Sequence, residues 1–312
     1  MAITDIQSSQ QMQSEYRIYT DLKALLATRH RAHELKLFSR QPARSMLFGE
    51  TRSRFRGRGM EFEEVRRYQP GDDIRTIDWR VSARTGKPHT KLFCEERERP
   101  VHILVDQRSC MFFGSTKAFK SVIAAEVAAT FAWAALAGSD RIGGQIIADN
   151  QERDIRARRN KQAVLKFIHD LHHLNGQLPG NQPTTRRLAQ MLDECRRLTR
   201  PGTAIFVISD FHDMDEDAER ALATLGRNTD ITLVKVYDPV EQHLPKVSEL
   251  AISDGKKRAS INMNRNIVAS YQSQLQNKAS LLKRATLNAQ AVLMEISTAD
   301  SPLAFLQRRY GK

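Results

Sequence analysis

The sequence predicts an α/β fold built on a doubly wound, mostly parallel sheet. Short apolar runs recur from residue 101 onward: "VHILV" (101–105), "GQIIA" (144–148), "AIFVI" (204–208), "ITLVKV" (231–236) and "AVLMEI" (291–296). Such runs suit strands covered on both faces. Helical patterns lie between most of them, at 116–137, 160–174, 184–198, 214–226 and 264–289. Strands alternating with helices imply parallel pairing through right-handed crossovers. A third observation gives the sheet a working edge. Two of the runs end in carboxylates, Asp106 and, after Ser209, Asp210. In open α/β sheets ligands bind at the carboxyl ends of strands.

The elements follow in chain order. Residues 14 to about 38 read as a helix, with Tyr16, Tyr19, Leu22, Leu25 and Leu26 at helical spacing. Pro42, Gly49, Gly57 and Gly59 then break the pattern. "MEFEEVRRY" and "KPHTKLFCEERER" read as strands on either side of "QPGDDIRTIDWR". These features place an N-terminal helix and a small β-rich element in residues 1–98, and the sheet domain in 99–312. Within the latter, "ADNQERDIRAR" reads as a hairpin into an edge strand. Asp254-Gly255 is a hairpin turn signal. The run "SVIAAEVAATFAWAALAG" (121–138) contains Glu126 and falls short of the ~20 residues of a spanning helix, so it reads as a core helix.

Composition narrows the function classes. The chain has 312 residues, 40% hydrophobic and 27% charged, which suits a folded globular protein. Its three cysteines, Cys94, Cys110 and Cys195, are far apart and form no CxxC pair. Neither a disulfide framework nor a thiolate zinc centre is supported, and a cytoplasmic location is expected. The N-terminus lacks the pattern of a signal peptide. The net charge of +13 favours anionic partners. Its densest block is "RSRFRGRG", where Arg52, Arg54, Arg56 and Arg58 share one face of an extended chain. Without interleaved aromatics, this block makes nucleic-acid binding a minor alternative.

The stretch "VRRYQPGDDIRTIDWR" concentrates charge around Pro70-Gly71. Arg66, Arg67, Arg75, Arg80 and Arg84 stand against Asp72, Asp73 and Asp78, beside Tyr68 and Trp79. Pro-Gly suits a tight turn, and Asp72 sits at a helix N-cap position. Arg–carboxylate pairs fix geometry where Lys does not. The expectation is a structural clasp with Trp79 as its apolar anchor. Arginines in excess of the aspartates would be left to form a docking face.

The strand ending in Asp106, followed by a loop and a long apolar helix, resembles a von Willebrand factor A-type domain. The resemblance is closer to the bacterial DUF58 family, a domain of unknown function. It rests on "GRGMEFEEVRRYQPGDDIRTIDWRVSARTGKPHTKLFCEE", "SDRIGG", "VYDPVEQHLP" and "ISTADSPLAFL", which cover most of residues 57–306 in order. It implies a von Willebrand A-like sheet and an association with a MoxR-type AAA+ ATPase and its target protein. It also implies a metal-ion-dependent adhesion site, Asp-x-Ser-x-Ser with a later Thr and Asp. Asp106 matches the first ligand, Thr184 or Thr185 the loop threonine, and Asp210 the last aspartate. The two serine positions are Arg108 and Cys110. Mg²⁺ takes hard oxygen ligands in octahedral geometry, so these substitutions disfavour bound Mg²⁺, and no other cofactor is expected. Arg108 is expected to bridge Asp106 and Asp210 in the cation's place.

Other constellations are weak. His169 and His173 lie four residues apart without the glutamate of HExxH, which disfavours zinc there. "GSTK" is not a P-loop, and no Gly-x-Ser-x-Gly elbow exists. No catalytic residue is assigned. The expected function is a non-enzymatic interaction module, a partner or adaptor of the ATPase in a chaperone-like or cofactor-insertion system. A basic nucleic-acid or acidic-surface binder ranks second, and a metal-dependent hydrolase last.

Overall fold

The computed structural model describes residues 17–38, 60–95, 99–177, 186–245, 247, 249–253 and 258–311. Its contacts divide into two units, one comprising residues 1–37 with 99–312, the other residues 38–98.

The larger unit begins with two short helices, α1 (Leu22–Ala27) and α2 (Arg29–Ala32). The single helix expected over 14–38 is therefore shorter and broken. Asp21 accepts from the Lys23 N–H and starts α1 there, and the Thr28 hydroxyl turns back onto the Leu25 carbonyl at the break. This segment packs with the sheet unit, whereas the sequence reading grouped it with the β-rich element. Hydrogen bonds explain the difference. The Thr20 N–H donates to Asn175, whose amide donates to Gln107, whose amide in turn donates to the Ser121 carbonyl.

The smaller unit holds the antiparallel pair β1 (Met60–Arg67) and β2 (His89–Glu95), joined through the helix α3 (Trp79–Thr85). The sheet of the larger unit comprises β3 (Pro100–Asp106), β4 (Arg141–Ile147), β5 (Glu152–Arg158), β6 (Ala204–Ser209), β7 (Asp230–Tyr237) and β10 (Val292–Ser297). Between β7 and β10 lies the hairpin β8 (Glu249–Ser253) and β9 (Arg258–Asn262). The expected turn at Asp254-Gly255 falls outside the described residues. The longer helices are α4 (Lys120–Ala137), α5 (Lys161–Asn175), α6 (Leu188–Leu198), α7 (Glu216–Gly226), α9 (Arg265–Asn288) and α10 (Pro302–Tyr310), with the short α8 (Pro239–Gln242) after β7.

The strand order is β10-β7-β6-β3-β4-β5. All neighbours pair in parallel except β4 and β5, so β5 is the antiparallel edge the sequence indicated. From β3 the chain winds outward to β4 and later, in the other direction, through β6 and β7. The switch point therefore lies between β3 and β6, which pair with each other. This is the doubly wound, mostly parallel α/β fold the sequence predicts.

Helices cover both faces. On one side Leu104, Ile205, Val207 and Leu233 of the sheet pack with Leu188, Met191 and Leu192 of α6, Leu222 and Leu225 of α7, and Leu282 of α9. On the other side Phe131 of α4 stacks on Phe206 at 4.2 Å and meets Tyr310 edge-on at 5.8 Å. α4 is long and apolar enough to cross a membrane, but fifteen of its residues are buried within this layer. The "RIGG" motif follows from close packing. A Cβ on Gly144 would come within 2.6 Å of the Ile103 carbonyl and 2.7 Å of the Phe167 ring of α5, so only glycine lets that helix approach.

His102 of β3 is buried, and its Nε2 has no hydrogen-bond partner among the described residues. Burial lowers its pKa to about 4 from the ordinary 6.5. Between those values the unfolded chain binds a proton the folded chain excludes. The stability linked to His102 is thus complete above about pH 6.5 and is lost as pH falls toward 4. At roughly 1.4 kcal/mol per unit the loss is on the order of 3 kcal/mol. The variant His102→Phe is expected to flatten the fall in melting temperature across this window. An unchanged pH slope would contradict the assignment.

Candidate functional site

At the switch point β3 ends in Asp106, and the chain turns at once into Arg108. The Arg108 side chain is 0% exposed, an unusual position for a guanidinium. All five of its N–H donors are used. Nε donates to Asp106 Oδ1 at 3.0 Å and Nη2 to Asp106 Oδ2 at 2.8 Å. Nη1 and Nη2 donate to the two oxygens of Asp213 at 2.7 and 3.0 Å, and Nη1 also reaches the Arg186 carbonyl at 2.9 Å. One planar group is thus held between two carboxylates, bidentate to each. Burial opposes its charge, but Asp106 and then Asp213 outweigh that cost and raise its pKa. Burial likewise opposes ionised Asp213, and the Arg108 hydrogen bonds lower its pKa.

The sequence reading paired Arg108 with Asp210, and that pairing is corrected. Ser209 closes β6 with its hydroxyl donating to Asp106 Oδ2 at 2.7 Å. Asp210 follows the last strand residue, and its carboxylate is bonded to Lys120 and His212 instead. Phe211 then adopts a positive φ of 54°. This turn, rare for a bulky residue, folds "HDM" back and delivers Asp213 instead. Its Oδ2 also accepts from the Leu188 N–H at the start of α6.

Asp210 belongs to a second ionic group. Its Oδ2 accepts from Lys120 Nζ at 2.8 Å, and Lys120 also donates to Glu241 at 2.6 Å. Its Oδ1 lies 3.1 Å from both the His212 N–H and His212 Nδ1. Burial works against ionised Asp210, but His212 and Lys120 hold it well below the usual carboxylate range. Burial also opposes the Lys120 charge, and Asp210 and Glu241 raise its pKa. The Asp210 hydrogen bond raises the pKa of His212. Cys110 lies on the same edge, its thiol pushed up by burial and by Asp106 and Asp210. Beside this group is a cleft of about 210 Å³, lined by Lys120, Asp210, His212, Glu241, Tyr271 and Lys278 among others.

Glu241 links this network to the other strand ends. Its second oxygen accepts the Asp238 N–H at the start of α8. Buried Asp238 accepts from the Ser115 N–H at 2.7 Å, the Ser115 hydroxyl and the Thr298 hydroxyl at 2.5 Å. The motifs "VYDPVEQHLP" and "ISTADSPLAFL" thus meet the loop after β3.

Sequence reasoning missed Lys120, Asp213 and Glu241. Lys120 carried a signal: a lone cation in the first turn of an apolar helix, where the helix dipole repels it, needs a dedicated carboxylate. Asp213 lies in the acid-rich "FHDMDED", where carboxylates at a helix start already offset the dipole, so its sequence context gives no separate signal. Thr184 and Thr185 lie outside the described residues, as do Arg52, Arg54, Arg56 and Arg58.

The residues present do not fit Mg²⁺. One hydroxyl position holds a guanidinium already bonded to Asp106, and the other holds a thiol.

In the smaller unit the predicted clasp is rearranged. Gln69–Asp72 is a tight turn with Gly71 at φ 108°, and Asp72 closes it by accepting the Gln69 N–H and Arg66 Nη2. Asp72 is therefore not the N-cap. Asp73 caps the 3₁₀ turn Ile74–Thr76, and Asp78 caps α3 through the N–H groups of Arg80 and Val81. With the aspartates spent on backbone donors, Arg66–Asp72 and Lys91–Asp78 are the ion pairs of this stretch among the described residues. Tyr68 is half-buried, its N–H bonded to the Pro88 carbonyl. Arg67, Arg75, Arg80 and Arg84 are exposed. So is Trp79, at 70%, with Ile74 at 65%. Trp79 is not the buried anchor the sequence suggested. As the first residue of α3, immediately after its cap, it is carried on the outer turn of a short helix.

Residues 64–280 match the family described as "Protein of unknown function DUF58". Uncharacterized proteins of Mycobacterium bovis (Mb1516) and Mycobacterium tuberculosis (Rv1480) are each 28% identical over 225 residues, covering 71% of this chain and 69% of theirs. Among solved structures, the chain is similar to a conserved hypothetical protein, BatB, from Bacteroides thetaiotaomicron. That likeness has a TM-score of 0.44 and 12% identity over 67% of this chain and 96% of that one. An aerotolerance-related membrane protein from Bacteroides fragilis gives 0.43 and 12%, over 67% and 97%. A von Willebrand factor type A protein from Catenulispora acidiphila gives 0.39 and 14%, over 70% and 42%.

Removing one partner of a buried ion pair leaves the other charge uncompensated, at a cost of about 3–5 kcal/mol. Arg108→Met strands Asp106 and is expected to lower unfolding stability by about that amount in urea titrations. A loss under about 1 kcal/mol would show that the bridge contributes little.

Proposed function

The chain belongs to the DUF58 family, and on that footing we propose that it is a non-enzymatic protein-interaction module, a partner or adaptor of a MoxR-type AAA+ ATPase acting in the cytoplasm on a third, target protein. The exposed Trp79 carries this reading. It lies in the motif on which the family resemblance rests, on a capped helix, with Ile74 and four exposed arginines within eighteen residues of chain. Trp and Arg are the residues that most often dominate binding energy at protein interfaces. A large apolar ring left in water by a well-formed local structure has its use outside that structure. The arginines select an acidic face on the partner, and their charges steer the encounter.

The sheet edge supports the non-catalytic half of the reading. Arg108 is bonded through every donor, and Lys120 is shared between two carboxylates. Burial and the nearby acids push the Cys110 thiol up, which leaves it a poor nucleophile on its own. The arrangement amounts to a degenerate adhesion site in which Arg108 stands permanently where a switching cation would come and go. Partner binding is then constitutive with respect to Mg²⁺.

Two measurements test this. Trp79→Ala is expected to change stability by no more than about 0.5 kcal/mol, as surface substitutions do. The same change should weaken binding of a purified MoxR-type ATPase at least about tenfold, the scale of an interface hot spot. A large drop in melting temperature, or unchanged affinity, would contradict the docking role. Mg²⁺ titrated into the isolated chain should give no binding isotherm, whereas micromolar binding would overturn the Arg108 substitution.

A further inference from the structure

Cys110, Asp210 and His212 each offer one ligand atom, and the three atoms lie within 4.8 Å of one another. They come from different elements: the 3₁₀ turn Ser109–Met111 after β3, and the loop after β6. We propose that this thiol, carboxylate and imidazole form a site for Zn²⁺ or a similar borderline-soft divalent ion at the switch point of the sheet. The docking role of Trp79 does not depend on it.

Ligand type is the first argument. Thiolate and imidazole suit zinc, which accepts Cys, His and Asp together in four-coordinate geometry. The change that spoils the position for Mg²⁺, a thiol in place of a hydroxyl, is the change that suits it to zinc. Spacing is the second. His212 Nδ1 and Asp210 Oδ1 are 3.1 Å apart, close to the edge of a tetrahedron with metal–ligand bonds of about 2.0–2.3 Å. The sulfur lies within 4.8 Å of both, so closing it onto that pair needs a shift of at most roughly an ångström. His212, with a 44% exposed side chain, has the freedom to make it.

Charge is the third argument. The connected ionic network holds four carboxylates, Asp106, Asp213, Asp210 and Glu241, against two cations, Arg108 and Lys120. With His212 neutral and Cys110 ionised as ligands, three negative charges remain on this edge, and a divalent cation offsets two of them; the thiol proton is released to solvent as the metal binds. Arg108 and Lys120 would repel a metal if they were free, but each is already held by two acids. Asp210 and His212 also line the cleft, so a fourth position is open on that side to water or an incoming ligand.

Direct metal binding by the full chain tests the proposal. Zn²⁺ is expected to bind at one equivalent with micromolar or tighter affinity. Co²⁺ in its place should give a thiolate-to-metal charge-transfer band. Cys110→Ser should abolish that band, and both Cys110→Ser and His212→Ala should weaken Zn²⁺ binding at least tenfold with the melting temperature retained. His212 is exposed enough that its variant folds even if the Cys110 variant does not. Replacing Cys94 and Cys195 by serine, or His169 and His173 by alanine, should leave binding intact. Absence of Zn²⁺ binding, or binding that survives both site variants, overturns the proposal.

Discussion

A guanidinium with no contact to water needs an acceptor for every proton, and the rest of the sheet edge is arranged around meeting that demand at Arg108. Two carboxylates and one carbonyl supply five acceptors. They come from β3, from the loop after β6 and from the segment leading into α6. The cost of burying the charge is met only if all three segments hold their places, so the bridge specifies the loop geometry more than it adds net stability. Ser209 and Leu188, which bond the remaining oxygen positions of Asp106 and Asp213, complete the satisfaction that buried ionic groups require.

The second cation extends the same logic outward. Lys120 ties the start of the core helix α4 to Asp210 and Glu241, and Glu241 hands the connection to Asp238. Asp238 gathers Ser115 and Thr298, so the carboxyl ends of β3, β6, β7 and β10 are joined in one hydrogen-bonded series. The segments "VYDPVEQHLP" and "ISTADSPLAFL" converge here with the loop after β3 although they are dispersed along the chain. A hydroxyl or carboxylate lost at any one point would leave a buried partner unsatisfied, and in a low-dielectric site that is costly. The charged stretch of the smaller unit is built differently: its aspartates fold the backbone, and Arg67, Arg75, Arg80, Arg84 and Trp79 are left to solvent.

The fold was largely legible because it rests on local patterns. The apolar runs at 101–105, 204–208 and 231–236 are strands, and the helical stretches between them begin and end within a few residues of expectation. What failed locally was decided by competing caps, at Asp21 for the N-terminal helix and at Asp73 and Asp78 for the charged stretch. The site was half legible. Asp106 and Arg108 are two residues apart, and their pairing follows from sequence. Asp213 is 105 residues away, and its identity as the second acid depends on the left-handed turn at Phe211, which no composition rule signals. Trp79 was misjudged because an aromatic among charges suggests an anchor. Whether such a ring faces inward depends on the helix turn that carries it.

The central claim is that Arg108 and Asp213 act as one buried unit, closing the site from both sides of the switch point. A double-mutant cycle on Arg108→Met and Asp213→Asn, read by denaturant unfolding, measures that coupling directly. The account predicts an interaction energy of about 2–3 kcal/mol, the upper part of the range for residues in contact. Additive effects, within about 0.5 kcal/mol, would mean that the two residues behave independently and that the bridge does not hold the edge together.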